Sequence, residues 1–218
     1  MKTLWIIGGP TASGKTSLGI DLAMGLQTEV LSADARQFYR GMDIGTAKPS
    51  APELSSVKHH FINSLDLNED YDVADYERDA LLQLDAIFKT SDHAVMVGGS
   101  GLFIQAVLYG LSPMPSVTED IRKKWRKIEV NEGLESLQKA LEDIDPEIVR
   151  HIDMQNPRRI LRALEVMDSS GRSLKAWQDE FVPKKRFFSW NMVAIDWPRD
   201  LLYARIDERV DRMIQEGL

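Results

Sequence analysis

The chain has no cysteine among its 218 residues, which excludes disulfides, thiolate nucleophiles and thiolate metal sites and makes a reducing compartment the natural setting. No apolar run approaches the roughly 20 residues that span a bilayer. The first apolar stretch, Leu4 to Ile7, stops at Gly8-Gly9 and suits an opening strand rather than a leader peptide. A cytoplasmic protein without membrane attachment is therefore expected. Positive charge is also short: 27 Lys and Arg against 34 Asp and Glu leave a formal −7, which weighs mildly against a nucleic-acid binder. The basic residues are nevertheless clustered, in "IRKKWRK" (121–127), "NPRRILR" (156–162) and "PKKRF" (183–187), so a basic face on an acidic protein stays open.

What is present is a globular composition, 43% hydrophobic and 28% charged, on a chain long enough for one core domain carrying a smaller insert. Buried strands are expected at 3–7, 29–33, 94–97 and 192–195, with helices between them, among them 15–23 and 73–88. That alternation predicts an α/β fold with a parallel sheet flanked by helices. Between Leu111 and Pro183 the pattern turns to helices alone, predicting an inserted all-helical domain. The expected division is a first core part at 1–111, the insert at 112–187 and a return to the core at 188–218. One insert helix is well punctuated: Asn156 suits the cap, Pro157 the first turn and Gly171 the residue past the end. Its period places Ile160, Leu161, Leu164 and Met167 on one side and Arg158, Arg159 and Arg162 on the other.

The strongest chemical signal is "GGPTASGKT". Gly9, Gly14, Lys15 and Thr16 satisfy G-x-x-x-x-G-K-[ST] directly after a strand, the context of a phosphate-binding loop. Residues Gly9, Pro10, Thr11, Ala12, Ser13 and Gly14 would wrap an anion with backbone N–H groups. Lys15 would reach its terminal phosphates, and the Thr16 hydroxyl would ligate Mg²⁺. Asp34 ends the second strand, on the sheet edge where such folds bind ligands, and is a candidate base or metal partner. Arg36, Gln37 and Arg40 stand nearby for a polar second substrate. In "VGGSGLF" (97–103) the glycines permit close approach and Ser100 offers a hydroxyl. Arg199, after Pro198 at a helix start, is a candidate anion ligand. Adjacent His59 and His60 point apart in a strand and do not suggest a metal site. Trp125 among lysines suits a helix anchor better than a base-stacking platform.

Taken together, "GGPTASGKT", "SADARQFYRGMDIGTAKP", "HHFIN", "VGGSGLF", "NPRRILRALEV" and "PRDLLYARIDERVDRMIQEGL" resemble the tRNA dimethylallyltransferase family, in family order and over almost the whole chain. The resemblance implies a P-loop NTPase/kinase-like core with an inserted tRNA-binding domain. It implies transfer of a dimethylallyl group from its diphosphate to N6 of the adenine beside the tRNA anticodon, by a monomeric enzyme acting on the anticodon stem-loop. It implies that Asp34, Ser100 and Lys15 serve catalysis, and that Mg²⁺ and Arg199 hold the diphosphate. Asp34, Ala35, Arg36, Gln37, Ser100, Arg122, Arg158, Arg159, Ile160, Leu161 and Arg162 would meet tRNA. Two positions depart from the family pattern: Ser100 where Thr is usual, and Ala35 where Ser is usual. Family members also continue beyond the point where this sequence stops, so a shortened C-terminus is expected.

Two alternatives share the loop. A P-loop small-molecule or nucleotide kinase would bind ATP there, although "AVMVGGSG" carries no strand-end carboxylate of the usual kind. A nucleotide-dependent switch or RNA-binding module would be non-catalytic, although no N-K-x-D guanine motif is present.

Overall fold

The computed structural model describes all residues, Met1–Leu218. Five parallel strands form one sheet: β1 (Thr3–Gly8), β2 (Val30–Ser32), β3 (His59–His60), β4 (His93–Val97) and β5 (Ser189–Ala194), in the order β3-β2-β4-β1-β5. Parallel strands covered on both faces read as unbroken apolar runs, which is what "LWII" and "AVMV" are. Successive side chains leave opposite faces. Leu4 and Ile6 enter a core with Tyr76, Ala80 and Leu84 of α3 (Val73–Ile87) and Val107 of α4 (Gly101–Tyr109). Ile7 enters another with Ile20 and Ala23 of α1 (Lys15–Gly25). Each such fully buried aliphatic or aromatic chain stabilises the fold by about 1.5–3 kcal/mol. The Asp72 carboxylate caps α3 by accepting from the N–H groups of Ala74 and Asp75.

The expected strands and helices are all present, with one informative shift. β5 begins at Ser189, three residues before the expected 192, paired with Thr3 at the start of β1. As an edge strand it keeps Trp190, Met192 and Val193 substantially exposed, so burial never imposed an apolar run at its start. The two-residue β3 was legible only as the alternation at His59 and His60; His60 engages Glu29, and the His59 ring meets the Val57 carbonyl.

Residues Leu111–Pro183 form a second compact unit. It contains α5 (Glu119–Glu132), α6 (Leu134–Ile144), a 3₁₀ turn at Ile148–Arg150, α7 (Pro157–Ser170) and α8 (Leu174–Asp179), with no strand. Its core gathers Trp125, Leu137, Leu141, Ile148, Ile160, Ala163, Leu164, Val166 and Leu174. Trp125 is the anchor that the sequence suggests: it is buried, and its indole N–H donates to Asp168. Asn156 caps α7 by accepting from the Arg159 N–H, and Gly171 closes it in a left-handed conformation.

The unit ends earlier than the 112–187 expected. Residues 184–187 belong with the sheet because their polar groups are tied there. The Lys184 N–H donates to the Tyr109 carbonyl at 2.7 Å, and the Arg186 guanidinium donates to Glu77 and to the Ala106 carbonyl, both at 2.7 Å. Burial pushes the Glu77 carboxyl upward, but Arg186 and Lys184 outweigh it and hold the group below its ordinary value.

Candidate functional site: a phosphate-loop cavity facing an acid

A cavity of about 960 Å³ opens beyond the carboxyl ends of β1, β2 and β4, the edge where open α/β sheets bind ligands. Its floor is the loop Gly9–Thr16. Gly9 has φ +148°, and a Cβ there would sit 3.0 Å from both the Ile195 carbonyl and the Ser13 hydroxyl, so the turn out of β1 requires glycine. Gly14 and Ala12 also take positive φ, which curls the loop back on itself. Helix α1 starts at Lys15 and presents its unpaired first-turn N–H groups and positive dipole end at the same point. The Lys15 ammonium donates to the Pro10 carbonyl at 2.6 Å, spanning the mouth of the loop. The Ser13 hydroxyl is buried with no partner, a donor left for an anion to satisfy.

Lys15 and Asp34 line this one cavity together. Burial lowers the Lys15 pKa from its ordinary value; the nearby Arg209 cation lowers it further, and the Asp34 carboxylate partly offsets both. Asp34 is half-buried, and one of its oxygens accepts from the Arg36 N–H at 2.9 Å in a tight local turn. That leaves the other oxygen available to a substrate proton.

Other expected site residues are tied to this turn. The Ser100 hydroxyl accepts from the Ala35 N–H at 3.1 Å, and the Ser100 N–H donates to the Ala33 carbonyl at 3.1 Å. Ser100 is therefore placed to hold the Asp34 turn, and it is not among the residues lining the cavity. The glycine at position 98 lines the cavity and is also pressed against a neighbouring backbone: a Cβ on Gly98 would lie 2.1 Å from the Ala33 carbonyl oxygen. Gln37 lines the cavity, but its amide is committed, accepting from Ser32 and donating to the Thr46 and Ala47 carbonyls. Ala35 and Arg36 are exposed.

The far wall is α9 (Arg199–Gln215), which does not bring the expected Arg199 to the cavity. Arg199 is exposed, its guanidinium 6.0 Å from the Tyr203 ring centroid, and it does not line the cavity. Arg205, Arg209, Arg212 and Met213 do. The reason is helical phase: at ~100° per residue, Arg199 is about 240° round the axis from Arg205. Arg205 donates to the Ala12 carbonyl at 2.8 Å and stacks over Trp197 at 4.6 Å, while the Trp197 indole donates to the Ser13 carbonyl at 3.0 Å. These two side chains brace the phosphate loop from outside it. Arg209 has no acid within salt-bridge distance and is a free cation for a ligand anion. Neither Trp197 nor Arg209 was singled out from sequence, although the spacing 205, 209, 212/213 and 216 is one helical stripe that could have been read.

In the helical unit, Arg122, Arg158 and Arg159 are exposed and Arg162 half-exposed, and none forms an ion pair. Ile160 is fully buried, so its side chain serves the core rather than the expected RNA contact, while Leu161 is partly buried and packs against the same core. What their spacing contributes is the opposite face, which carries the arginines.

A phosphate loop at the end of a parallel strand, walled by cations and facing a carboxylate, defines a protein that binds a phosphorylated substrate and moves a group from it. Comparison with known proteins makes this specific. The family model described as IPP transferase matches residues 37–218. A tRNA dimethylallyltransferase of Christiangramia forsetii is 41% identical, the alignment covering 96% of this chain and 69% of that one. Another, of Flavobacterium johnsoniae, is 39% identical over 100% and 72% of the two chains. Among solved structures, the full-length tRNA isopentenylpyrophosphate transferase of Bacillus halodurans superposes with TM-score 0.65 at 36% identity, covering all of this chain and 67% of its own. A eukaryotic dimethylallyltransferase described as acting on tRNA superposes with TM-score 0.79 at 25% identity, over 100% of this chain and 54% of its own. The chain belongs to the tRNA dimethylallyltransferase family, with its P-loop-like fold.

Proposed function

We propose that the protein transfers the dimethylallyl group of dimethylallyl diphosphate to N6 of the adenine adjacent to the tRNA anticodon, releasing diphosphate. The observation that carries this reading is the shared cavity of Lys15 and Asp34 in a chain of this family. The allylic C–O bond breaks, the new C–N bond forms at N6, and the proton leaving N6 passes to the free oxygen of Asp34. An exocyclic amine is a poor nucleophile, so base assistance matters, typically by about 10²–10⁴-fold. Negative charge growing on the departing diphosphate is met by the loop N–H groups, Lys15 and Arg209, donors aimed where that charge develops. The adenine reaches a recessed diphosphate only when swung out of its stack. The arginine face of α7 supplies unpaired charge for the RNA backbone.

The residues present fit a magnesium ion of the kind that takes most ligands from substrate phosphates and water: Thr16, whose hydroxyl is an oxygen ligand, lines the cavity beside the phosphate loop, and Asp34 lines it too. Bound there beside Thr16, the ion would add positive charge at the leaving diphosphate. No helix is long and apolar enough to cross a membrane.

The test pairs anticodon stem-loop RNA and Mg²⁺ with dimethylallyl diphosphate in one reaction and ATP in another. RNA gaining the mass of one dimethylallyl group in the first alone is the expected result. ATP turnover with unmodified RNA would instead select the kinase, which none of the relatives or structural neighbours named above favours.

A further inference from the structure

A lysine that the proposed chemistry does not use lines the same cavity as the acid. The Lys48 side chain is only 5% exposed, and its three ammonium protons meet three oxygens: the Tyr39 carbonyl at 2.6 Å, the Asn63 side chain at 2.6 Å and the Asp43 carboxylate at 2.8 Å. An ammonium has three donors and no acceptor, so this set is closed. The segments it ties are held in sparsely populated backbone conformations: Ala47 has φ +44°, Asn63 φ +52° and Phe61 φ +64°. They are also tied to Gln37, three residues after Asp34. The Gln37 carbonyl accepts from the Asn63 N–H at 3.1 Å, and the Gln37 amide donates to the carbonyls of Thr46 and Ala47. Asp43, Ala47, Lys48 and Asn63 all line the cavity.

We propose that Lys48 is a positioning residue for the transfer reaction: by clamping Asp43, Tyr39 and Asn63 it holds the loop that fixes Gln37, and through Gln37 the turn presenting Asp34. This rests on the transfer reading. The groups that grip diphosphate, Lys15 and Arg209, lie on other elements, so losing the clamp disturbs the acid and spares the phosphates. A misplaced base costs turnover rather than binding.

The experiment measures kcat, and KM for dimethylallyl diphosphate, on stem-loop RNA for the wild type and Lys48→Met, which keeps most of the stem and removes all three donors. We expect kcat to fall at least ~10-fold with KM within ~3-fold. Because the chain has no cysteine, Lys48→Cys carries its sole thiol, and alkylation with 2-bromoethylamine rebuilds a lysine-like ammonium at that one position. Recovery of kcat on alkylation is expected. Lys48→Arg should not recover it, since a planar fork does not match three converging oxygens. If Lys48→Met does not fold, Asn63→Ala removes one acceptor and should show the same split. Wild-type kcat in Lys48→Met or Asn63→Ala, an equal rise in KM, or no recovery after alkylation would overturn the proposal. A wild type that transfers nothing would instead count against the transfer reading itself.

Discussion

The sheet unit and the helical unit solve different problems with the same chain. All five non-glycine residues at positive φ, Ala12, Gln27, Ala47, Phe61 and Asn63, lie in the sheet unit, and three of them line the cavity. In the helical unit positive φ occurs only at Gly133 and Gly171, at helix ends where it costs least. Charge divides the same way. Around the cavity most polar side chains are committed, Lys15 to Pro10, Arg205 to Ala12, Gln37 to Thr46 and Ala47, and Lys48 to three oxygens, while Arg209 and the Ser13 hydroxyl are kept for a ligand. On α5 and α7, Arg122, Arg158, Arg159 and Arg162 pair with nothing. A site that breaks a bond needs its groups fixed in advance, and the cost is backbone strain. A surface that captures a polyanion needs only available charge, which ordinary helices supply.

Substitutions in the two units should therefore fail differently. Lys15→Ala removes a fixed donor from the leaving diphosphate, and kcat should fall by about 10²–10³-fold in a single-turnover assay; a loss under ~5-fold would mean that the loop does not act on the transition state. The wild-type site should also show a pH signature. Diphosphate favours the charged lysine, so affinity is full while Lys15 stays protonated and declines as pH rises through its lowered pKa, earlier than an ordinary lysine would allow. Calorimetric titration of diphosphate across the alkaline range reads this.

Replacing Arg158, Arg159 and Arg162 together by Ala should weaken stem-loop binding and leave the protein folded. The plot of log affinity against log salt should become shallower by roughly 0.7–0.9 for each phosphate that the protein no longer neutralises. An unchanged slope would return these arginines to an ordinary solvated face. The smallest effects concern backbone tolerance. Gly98→Ala forces a Cβ against the Ala33 carbonyl at 2.1 Å and should cost about 1–3 kcal/mol in chemical denaturation. Asn156→Ala loses a single cap in the helical unit and should cost about 1 kcal/mol. Equal costs would blur the contrast between the two units.

How much was legible follows from where each constraint resides. The phosphate loop and Asp34 could be read because their chemistry fixes residue types within one short segment at the end of a strand. The α7 helix could be read because Asn156, Pro157 and Gly171 are local signals. The partners of Ser100 and Gln37, Ala35 for the one and Ser32, Thr46 and Ala47 for the other, were not legible because only the fold brings them near. Trp197, Arg205 and Arg209 reach the loop from about 190 positions away, and a motif search near the loop does not find them. Arg199 was preferred for standing at a helix start, where the decisive variable was its phase around α9. Leu161 and Ile160 show the converse: a segment can resemble an RNA-binding motif while half of it is core.

The central claim is that one carboxylate takes the proton from the amine while a separate set of cations holds the departing diphosphate. Asp34→Asn keeps the shape and removes the base. Measured in parallel, single-turnover alkylation of stem-loop RNA should fall at least ~100-fold, while diphosphate affinity by titration stays within about threefold of wild type, a shift below about 1 kcal/mol. Alkylation at the wild-type rate, or loss of both properties together, would contradict this division of labour.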